Sequence, residues 1–140
     1  ATIPSAPGLY LMDVVPLGEP KFGFPNINDS AEILEMIASG AHAILFSTGR
    51  GSVVGSIISP VIKLCSNSRT YAAMAGDMDI NAGRVITGEA SLDELGEETV
   101  ALLGKVAEGA KTKSEALGHR EAVLTYKGET VSAVTACNAY

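Results

Sequence analysis

Two short apolar runs flank an amphipathic helical pattern near the start of the chain. Residues 9–15 (LYLMDVV) and 42–47 (HAILFS) are compact and mainly apolar, which is typical of buried strands. The segment between them predicts a helix capped by Asp29 or Ser30 and ended near Gly40. A strand, a crossover helix and a second strand predict two neighbouring parallel strands.

The second half of the chain continues this alternation of strands and helices. Ser91 and Glu94 match a capping box ahead of the longest helical pattern, residues 92–110. The remaining predicted elements are a strand at 61–65, a short helix at 71–74, a loop at 77–83 and a last strand at 122–126. The alternation predicts an α/β fold with three layers, a Rossmann-like, mostly parallel sheet with helices on both faces.

Composition narrows the classes of protein that fit. The 140 residues are 46% hydrophobic but only 5% aromatic, so aliphatic side chains must fill the core of a single domain. A formal net charge of −6 without basic clusters argues against nucleic acid and membrane surfaces as partners. Cys65 and Cys137 do not form a disulfide or zinc pattern, and no signal peptide is evident, so we expect a cytoplasmic protein.

A glycine-rich turn follows the strand at 42–47 and is the first candidate for ligand binding. It contains Thr48, Gly49, Arg50, Gly51 and Ser52. Its backbone N–H groups could contact an anion, and the Arg50 guanidinium could bind a carboxylate through two hydrogen bonds. A tight turn with a solvated arginine explains the same residues equally well.

The second candidate is the predicted loop at 77–83. Asp77, Asp79 and Asn81 alternate there and could together bind a cation or sugar hydroxyl groups. A solvated acidic loop is the commoner explanation of such a pattern.

The third candidate lies between the long helix and the last predicted strand. Lys113, Ser114, Glu115 and His119 bring a cation, a hydroxyl group, a carboxylate and an imidazole into one short stretch. A helix start capped by Thr112 or Ser114, with His119 on the surface, explains the stretch without any catalytic role.

Three segments together resemble the C-terminal domain of the altronate/galactarate dehydratase family. They are Phe46–Ser52, Asp77–Gly83 and Thr112–Glu121, with Gly8–Asp13 and Pro60–Lys63 adding to the likeness. The resemblance covers roughly Gly8 to Lys127. It implies a single C-terminal domain over residues 1–140, with residues 1–8 as a lead-in and 128–140 as a variable tail.

The resemblance also implies a chemistry. The family removes water from hexonic or hexaric acids to give 2-keto-3-deoxy acids, is similar to enzymes thought to use Fe²⁺, and has a branch that eliminates sulfite from sulfolactate. Elimination beside a carboxylate needs an anion clamp, a base and an acid. Arg50, Lys63 and Lys113 are expected to form the clamp, and His119 and Glu115 to act as acid and base, with Lys113 counted among the catalytic residues.

We therefore expect a hydro-lyase domain that contributes contacts to a small-molecule sugar acid in a longer enzyme. The three candidate segments are expected to meet at one edge of the sheet. Its partners would be the missing N-terminal dehydratase domains, with most iron ligands outside this chain, in a homo-oligomer. The alternatives are a fragment of a sulfolactate sulfo-lyase-type subunit and a non-catalytic sugar-acid binding or dimerisation module.

Overall fold

A computed structural model describes residues 3–13 and 28–123 of the chain. Its elements follow in the order α1 (Asp29–Ala38), β1 (Ile44–Thr48), β2 (Val61–Cys65), α2 (Ser68–Ala73), β3 (Ile80–Asn81), α3 (Gly83–Thr87), α4 (Leu92–Ala107) and α5 (Lys113–Leu117). None of the described helices is long and apolar enough to cross a membrane.

The described strands form one parallel sheet in the order β1-β2-β3. Successive residues of β2 point to opposite faces, as expected for a strand. Val61 packs with Ile33 of α1 on one face, and Ile62 packs with Val106 of α4 on the other. The predicted α/β class, with a parallel sheet between helices, is therefore confirmed.

The predicted first strand at 9–15 is not a strand in its described part. Residues 9–13 have no regular secondary structure, and the side chains of Leu9 and Leu11 are each 94% exposed. An apolar run forms a strand only where a neighbouring strand pairs with its backbone. Among the described residues, β1 pairs with β2 alone and not with residues 9–13. The predicted βαβ unit is therefore wrong over these residues; positions 14 and 15 lie outside the described residues.

The second half of the chain brings two further corrections. The predicted loop at 77–83 contains β3, because Ile80 is apolar, fully buried and paired beside Leu64 of β2. Ala122 and Val123, the described start of the predicted last strand, have no regular secondary structure. Residues 124–126 of that prediction lie outside the described residues.

The helix ends are close to the predicted ones but differ in detail. Asn28, rather than Asp29 or Ser30, caps α1, because its extended backbone lets its side chain accept a hydrogen bond from Ala31 N (3.0 Å). Gly40 has the predicted positive φ of 100° after that helix. The Ser91–Glu94 capping box of α4 is present as predicted.

Candidate functional site

The carboxylate of Asp79 joins the central strand to the start of α5. Its Oδ2 accepts a hydrogen bond from the backbone N–H of Lys63 (2.7 Å), and its Oδ1 accepts one from the backbone N–H of Lys113 (2.9 Å). The backbone N–H of Asp79 donates in turn to the carbonyl of Lys63 (2.9 Å). Both oxygens of this predicted substrate-binding residue are thus engaged by the protein backbone.

Ser114 completes the same edge of the central strand. Because β3 has two residues, it pairs only with the carboxyl end of β2 and leaves the first half of that edge without a strand. The Ser114 hydroxyl donates to the carbonyl of Val61 (3.2 Å), so Asp79 and Ser114 together satisfy backbone groups that a longer strand would otherwise bind. Ser114 is only 1% exposed.

The start of α5 is a complete capping box. The Thr112 hydroxyl accepts a hydrogen bond from Glu115 N (3.3 Å), and the Glu115 carboxylate accepts one from Thr112 N (2.8 Å). Thr112 is also buried, and its hydroxyl lies 3.1 Å from that of Ser114. The carboxylate predicted as a catalytic acid or base therefore stabilises a helix start in this structure.

The Lys113 ammonium group binds the segment that precedes β3. Its Nζ donates to the backbone carbonyls of Ala75 (2.6 Å) and Met78, and it lies 5.4 Å from the centre of the Tyr71 ring. Lys113 thus holds the Asp77–Asn81 segment against α5 by its side chain as well as by its backbone.

Lys63 lies in the middle of β2 and is 0% exposed. Its Nζ has no hydrogen-bond partner among the described residues. Burial lowers the pKa of this ammonium group below its ordinary value, although the negative charges of Asp77, Asp79 and Glu121 act in the opposite direction. A buried lysine with an unused ammonium group is costly, and such groups concentrate at functional sites.

His119 and Gly55 form a buried contact near the face of the sheet that carries Lys63. The imidazole Nδ1 of His119 is buried without a partner among the described residues. A Cβ added to Gly55 would lie 2.8 Å from the His119 Cβ, so only glycine allows this close approach. The backbone N–H of Gly55 donates to the Glu121 carboxylate (3.0 Å).

Sequence reasoning assigned no role to Gly55 or Glu121. Gly55 is the third glycine of the turn after β1, and Glu121 ends the third candidate segment. The contact joins residues 66 positions apart. Without the fold, no local pattern connects them.

The glycine-rich turn packs against α2. The Thr70 hydroxyl donates to the carbonyl of Gly49 (3.1 Å), and Gly51 has a φ of 83° with Met74 close beside its Cα. Arg50 is exposed and makes no hydrogen bond or ion pair within the described residues. Its guanidinium group is therefore available to a ligand or to another part of a larger enzyme.

The other predicted ligand residues have mixed positions. Asn81 accepts hydrogen bonds from the Ser68 hydroxyl (3.2 Å) and from Gly83 N (3.1 Å), whereas Asp77 is half-buried. Thr48 ends β1, where its carbonyl accepts from Ser66 N (2.9 Å), and the Ser52 hydroxyl accepts from Val54 N (3.2 Å).

The three predicted segments are brought together only in part. The Asp77–Asn81 and Thr112–His119 segments bind each other directly through Asp79 and Lys113. Thr48–Ser52 lies at the carboxyl end of β1 and contacts α2 instead. The charged cluster inside the domain therefore centres on Lys63, not on Arg50.

A metal site is not formed by the part of the chain that the structure describes. Residues 3–13 and 28–123 contain no group of three or more His, Cys, Asp or Glu side chains that could hold a metal ion. These residues do not supply a ligand set for the Fe²⁺ that the resemblance implies.

The fold and this cluster define a class: an α/β domain with a buried lysine whose Nζ has no hydrogen-bond partner within the described part of the chain. Comparison with known proteins identifies its family. The family model "D-galactarate/Altronate dehydratase, C-terminal" matches residues 1–130, and the chain belongs to that family.

Curated relatives show how wide the family is. The (2R)-sulfolactate sulfo-lyase subunit beta of Chromohalobacter salexigens is 40% identical over 126 residues, 89% of this chain and 29% of that protein. The altronate dehydratase of Escherichia coli is 33% identical over 104 residues, 74% of this chain and 21% of that protein. The galactarate dehydratase (L-threo-forming) of the same organism is 36% identical over 77 residues, 55% of this chain and 15% of that protein. The chain thus spans less than a third of the length of these relatives, which are lyases.

Proposed function

We propose that this chain is the C-terminal domain of a hydro-lyase that converts a sugar acid of the altronate or galactarate type into a 2-keto-3-deoxy acid. In this reaction a base removes the proton on C2, the C3–O bond breaks, and the resulting enol tautomerises to the 2-keto acid. Water leaves, and no redox change is needed.

The observation that carries this proposal is a pair of buried nitrogen atoms, Lys63 Nζ and His119 Nδ1, that have no hydrogen-bond partner in residues 3–13 and 28–123. Folded domains satisfy most buried polar atoms, so these two suggest partners supplied by the substrate or by the rest of the enzyme. In the proposed reaction Lys63 binds the substrate carboxylate, and His119 transfers a proton to or from the reacting carbons or the leaving oxygen. Arg50, exposed at the end of β1, adds a second contact to the acid.

A second candidate function is sulfite elimination from a sulfolactate. The sulfo-lyase subunit matches a larger share of this chain, at higher identity, than the altronate dehydratase does. The two reactions share the C2 proton and the carboxylate, and they differ in the bond that breaks at C3, which is C–S here. The same Lys63 and His119 roles serve both.

Assays of the full-length enzyme distinguish the two functions. Purified enzyme supplemented with Fe²⁺ would be incubated with altronate, galactarate and (2R)-sulfolactate, and both 2-keto acid and free sulfite would be measured. A 2-keto acid without sulfite supports the hydro-lyase, and equal amounts of both support the sulfo-lyase. No elimination from any of the three acids would refute both functions.

Variants then test the assigned residues. Lys63→Met is expected to reduce kcat/KM by about 100-fold or more, because a buried charged contact to the carboxylate is lost. Lys111→Met, which alters an exposed lysine outside the cluster, is the matched control and should leave kcat/KM unchanged. Equal kinetics in the two variants would remove Lys63 from the site.

A further inference from the structure

The carboxylate of the exposed residue Glu121 is bound by a glycine-rich loop. Its backbone belongs to an exposed stretch, yet its Oε2 accepts a hydrogen bond from the backbone N–H of Gly55 (3.0 Å). Backbone N–H groups of glycine-rich turns are common ligands for carboxylates and other anions. Glu121 therefore makes the kind of contact that a carboxylate ligand would make at this loop.

The ammonium group of Lys63 also acts on the Glu121 carboxylate. The charge of Glu121 is one of three negative charges that act on Lys63, which is 0% exposed. The three N–H donors of that ammonium group make no hydrogen bond within the described residues. Lys63 is thus a buried cation with its donors unused, on the sheet face covered by Val54 and the loop that continues to Gly55.

The shape of the loop fits the segment that carries Glu121. A Cβ at Gly55 would lie 2.8 Å from the His119 Cβ and 3.0 Å from both the His119 carbonyl oxygen and the Ser114 Cβ. The absence of a side chain at Gly55 is therefore what allows residues 119–121 to lie over the loop. The hydrogen bond of Glu121 lies at the exposed end of this contact.

We propose that Glu121 occupies the subsite for an anionic group of the substrate, a carboxylate or a sulfonate, and that the substrate displaces it from Gly55 N–H. This inference rests on the proposed function, since it concerns the same anion contact of Lys63. Glu121 is then an internal competitor, which occupies the Gly55 N–H until a substrate anion replaces it. Only the fraction of molecules with Glu121 displaced binds the anion, so the apparent Kd exceeds the intrinsic one.

Binding of two unreactive anions by the full-length enzyme tests the inference. Acetate and methanesulfonate are the probes, and their Kd values are measured by titration calorimetry or NMR. Glu121→Gln keeps the size of the side chain but removes its charge, and it is expected to lower the Kd of the preferred probe about tenfold, the factor by which a competitor present in most molecules weakens binding. Glu97→Gln, which removes an exposed carboxylate of α4, is the matched control and should not change either Kd.

Two further variants make the result decisive. Glu121→Asp, whose shorter side chain reaches Gly55 less well, should give an intermediate Kd and serves as the readout if Glu121→Gln fails to fold. Lys63→Met should abolish binding of both probes. Equal or weaker anion binding after removal of the Glu121 charge would overturn the inference, because Glu121 would then support the site or be unrelated to it.

The outcomes separate this inference from the proposed function. If the enzyme eliminates neither water nor sulfite from the three acids, the proposed function fails, and the probe titrations still decide whether Glu121 competes for an anion subsite. If elimination occurs but Glu121→Gln leaves the Kd values unchanged, the inference alone fails. Tighter binding of acetate or of methanesulfonate identifies the anionic group that the subsite prefers.

Discussion

The ammonium group of Lys63 opposes folding because it loses its hydration without gaining a hydrogen bond within the described residues. The carboxylates of Asp77, Asp79 and Glu121 offset part of that cost, but burial has the larger effect on its pKa. An apolar residue at this position would make the core more stable. The presence of Lys63 instead is consistent with the ligand-binding role proposed for it.

Replacement of Lys63 by methionine is expected to stabilise the protein at pH 7 by about 1–3 kcal/mol, the cost of a buried polar group without a partner. The pKa of Lys63 is lower in the folded chain than in the unfolded chain. As the pH rises towards the ordinary lysine value of 10.5, the folded chain therefore loses this proton before the unfolded chain does. The wild type should therefore regain stability relative to Lys63→Met as the pH rises from 7 towards that value.

Urea unfolding of both proteins at several pH values measures this difference. Lys111→Met, at an exposed position, is the control and should show no such pH-dependent difference from the wild type. A loss of stability in Lys63→Met at every pH would contradict the argument.

Asp79 is expected to matter through its two oxygens. Asparagine keeps its shape but offers one acceptor and places an amide donor against a backbone N–H, either that of Lys63 or that of Lys113. Asp79→Asn should therefore lower the free energy of unfolding by about 2–4 kcal/mol, since charged hydrogen bonds contribute more than neutral ones. Asp93→Asn on the exposed first turn of α4 is the control, with an expected change below about 0.5 kcal/mol, and urea midpoints compare the two.

At the scale of elements, two capping boxes of the same design differ in their surroundings. Ser91 begins α4 at the surface, whereas Thr112 begins α5 in the interior, next to the Ser114 hydroxyl. Hydrogen bonds with Ser91 lower the pKa of Glu94, so this stabilisation is present at neutral pH and is lost as the pH falls below the ordinary range of a glutamate.

Removal of the two cap hydroxyls should have unequal effects. Ser91→Ala is expected to cost about 1 kcal/mol, as is usual for an exposed N-cap. Thr112→Ala should cost about 2–3 kcal/mol, because the buried Ser114 hydroxyl loses a neighbour and the first turn of α5 holds the Asp79 contact. Thermal unfolding of both variants measures the difference, and equal losses would show that burial adds nothing at Thr112.

The sequence predicted the elements whose signals are local. The capping box at Ser91 was confirmed because neighbouring residues alone specify it, and the apolar run at 61–65 was confirmed as a strand because β1 and β3 pair with it. The run at 9–15 was wrong over its described residues, since a strand depends on a partner that the pattern does not contain. β3 was missed because two residues carry no periodicity.

The candidate site could be predicted only as separate parts. The chemistry of Lys63, Lys113 and His119 was recognisable from residue type, but their contacts depend on the fold. The cap of α5 by Thr112 was already one explanation of the third segment, whereas the contact between Gly55 and Glu121 depends on the path of the chain in space.

At the scale of the whole molecule, the chain spans less than a third of the relatives with which it shares a family. We expect the 140 residues to fold alone but to turn over no altronate, galactarate or sulfolactate, because the rest of the catalytic groups would lie elsewhere. Circular dichroism and 2-keto acid assays of the isolated chain test this directly. Turnover by the isolated chain above the rate without protein would refute it.

The Fe²⁺ that the resemblance implies is expected to bind mostly outside this chain. Treatment of the full-length enzyme with a chelator should remove its activity, and Fe²⁺ should restore it, whereas the isolated chain should bind no stoichiometric iron by elemental analysis. This follows from the resemblance and from the described residues, which hold no adequate ligand group. One iron per isolated chain would contradict it.

The edge of β2 that Asp79 and Ser114 complete has a consequence for self-association. An open strand edge can recruit the edge of another molecule, which is the first step towards aggregation. Here the Asp79 carboxylate and the Ser114 hydroxyl bind the Lys63 N–H and the Val61 carbonyl on that side, and the Lys63 carbonyl accepts from Asp79 N, so an incoming strand finds these three backbone groups already engaged. Next to the two-residue strand β3, these side chains thus protect part of the remaining edge of β2 against strand addition.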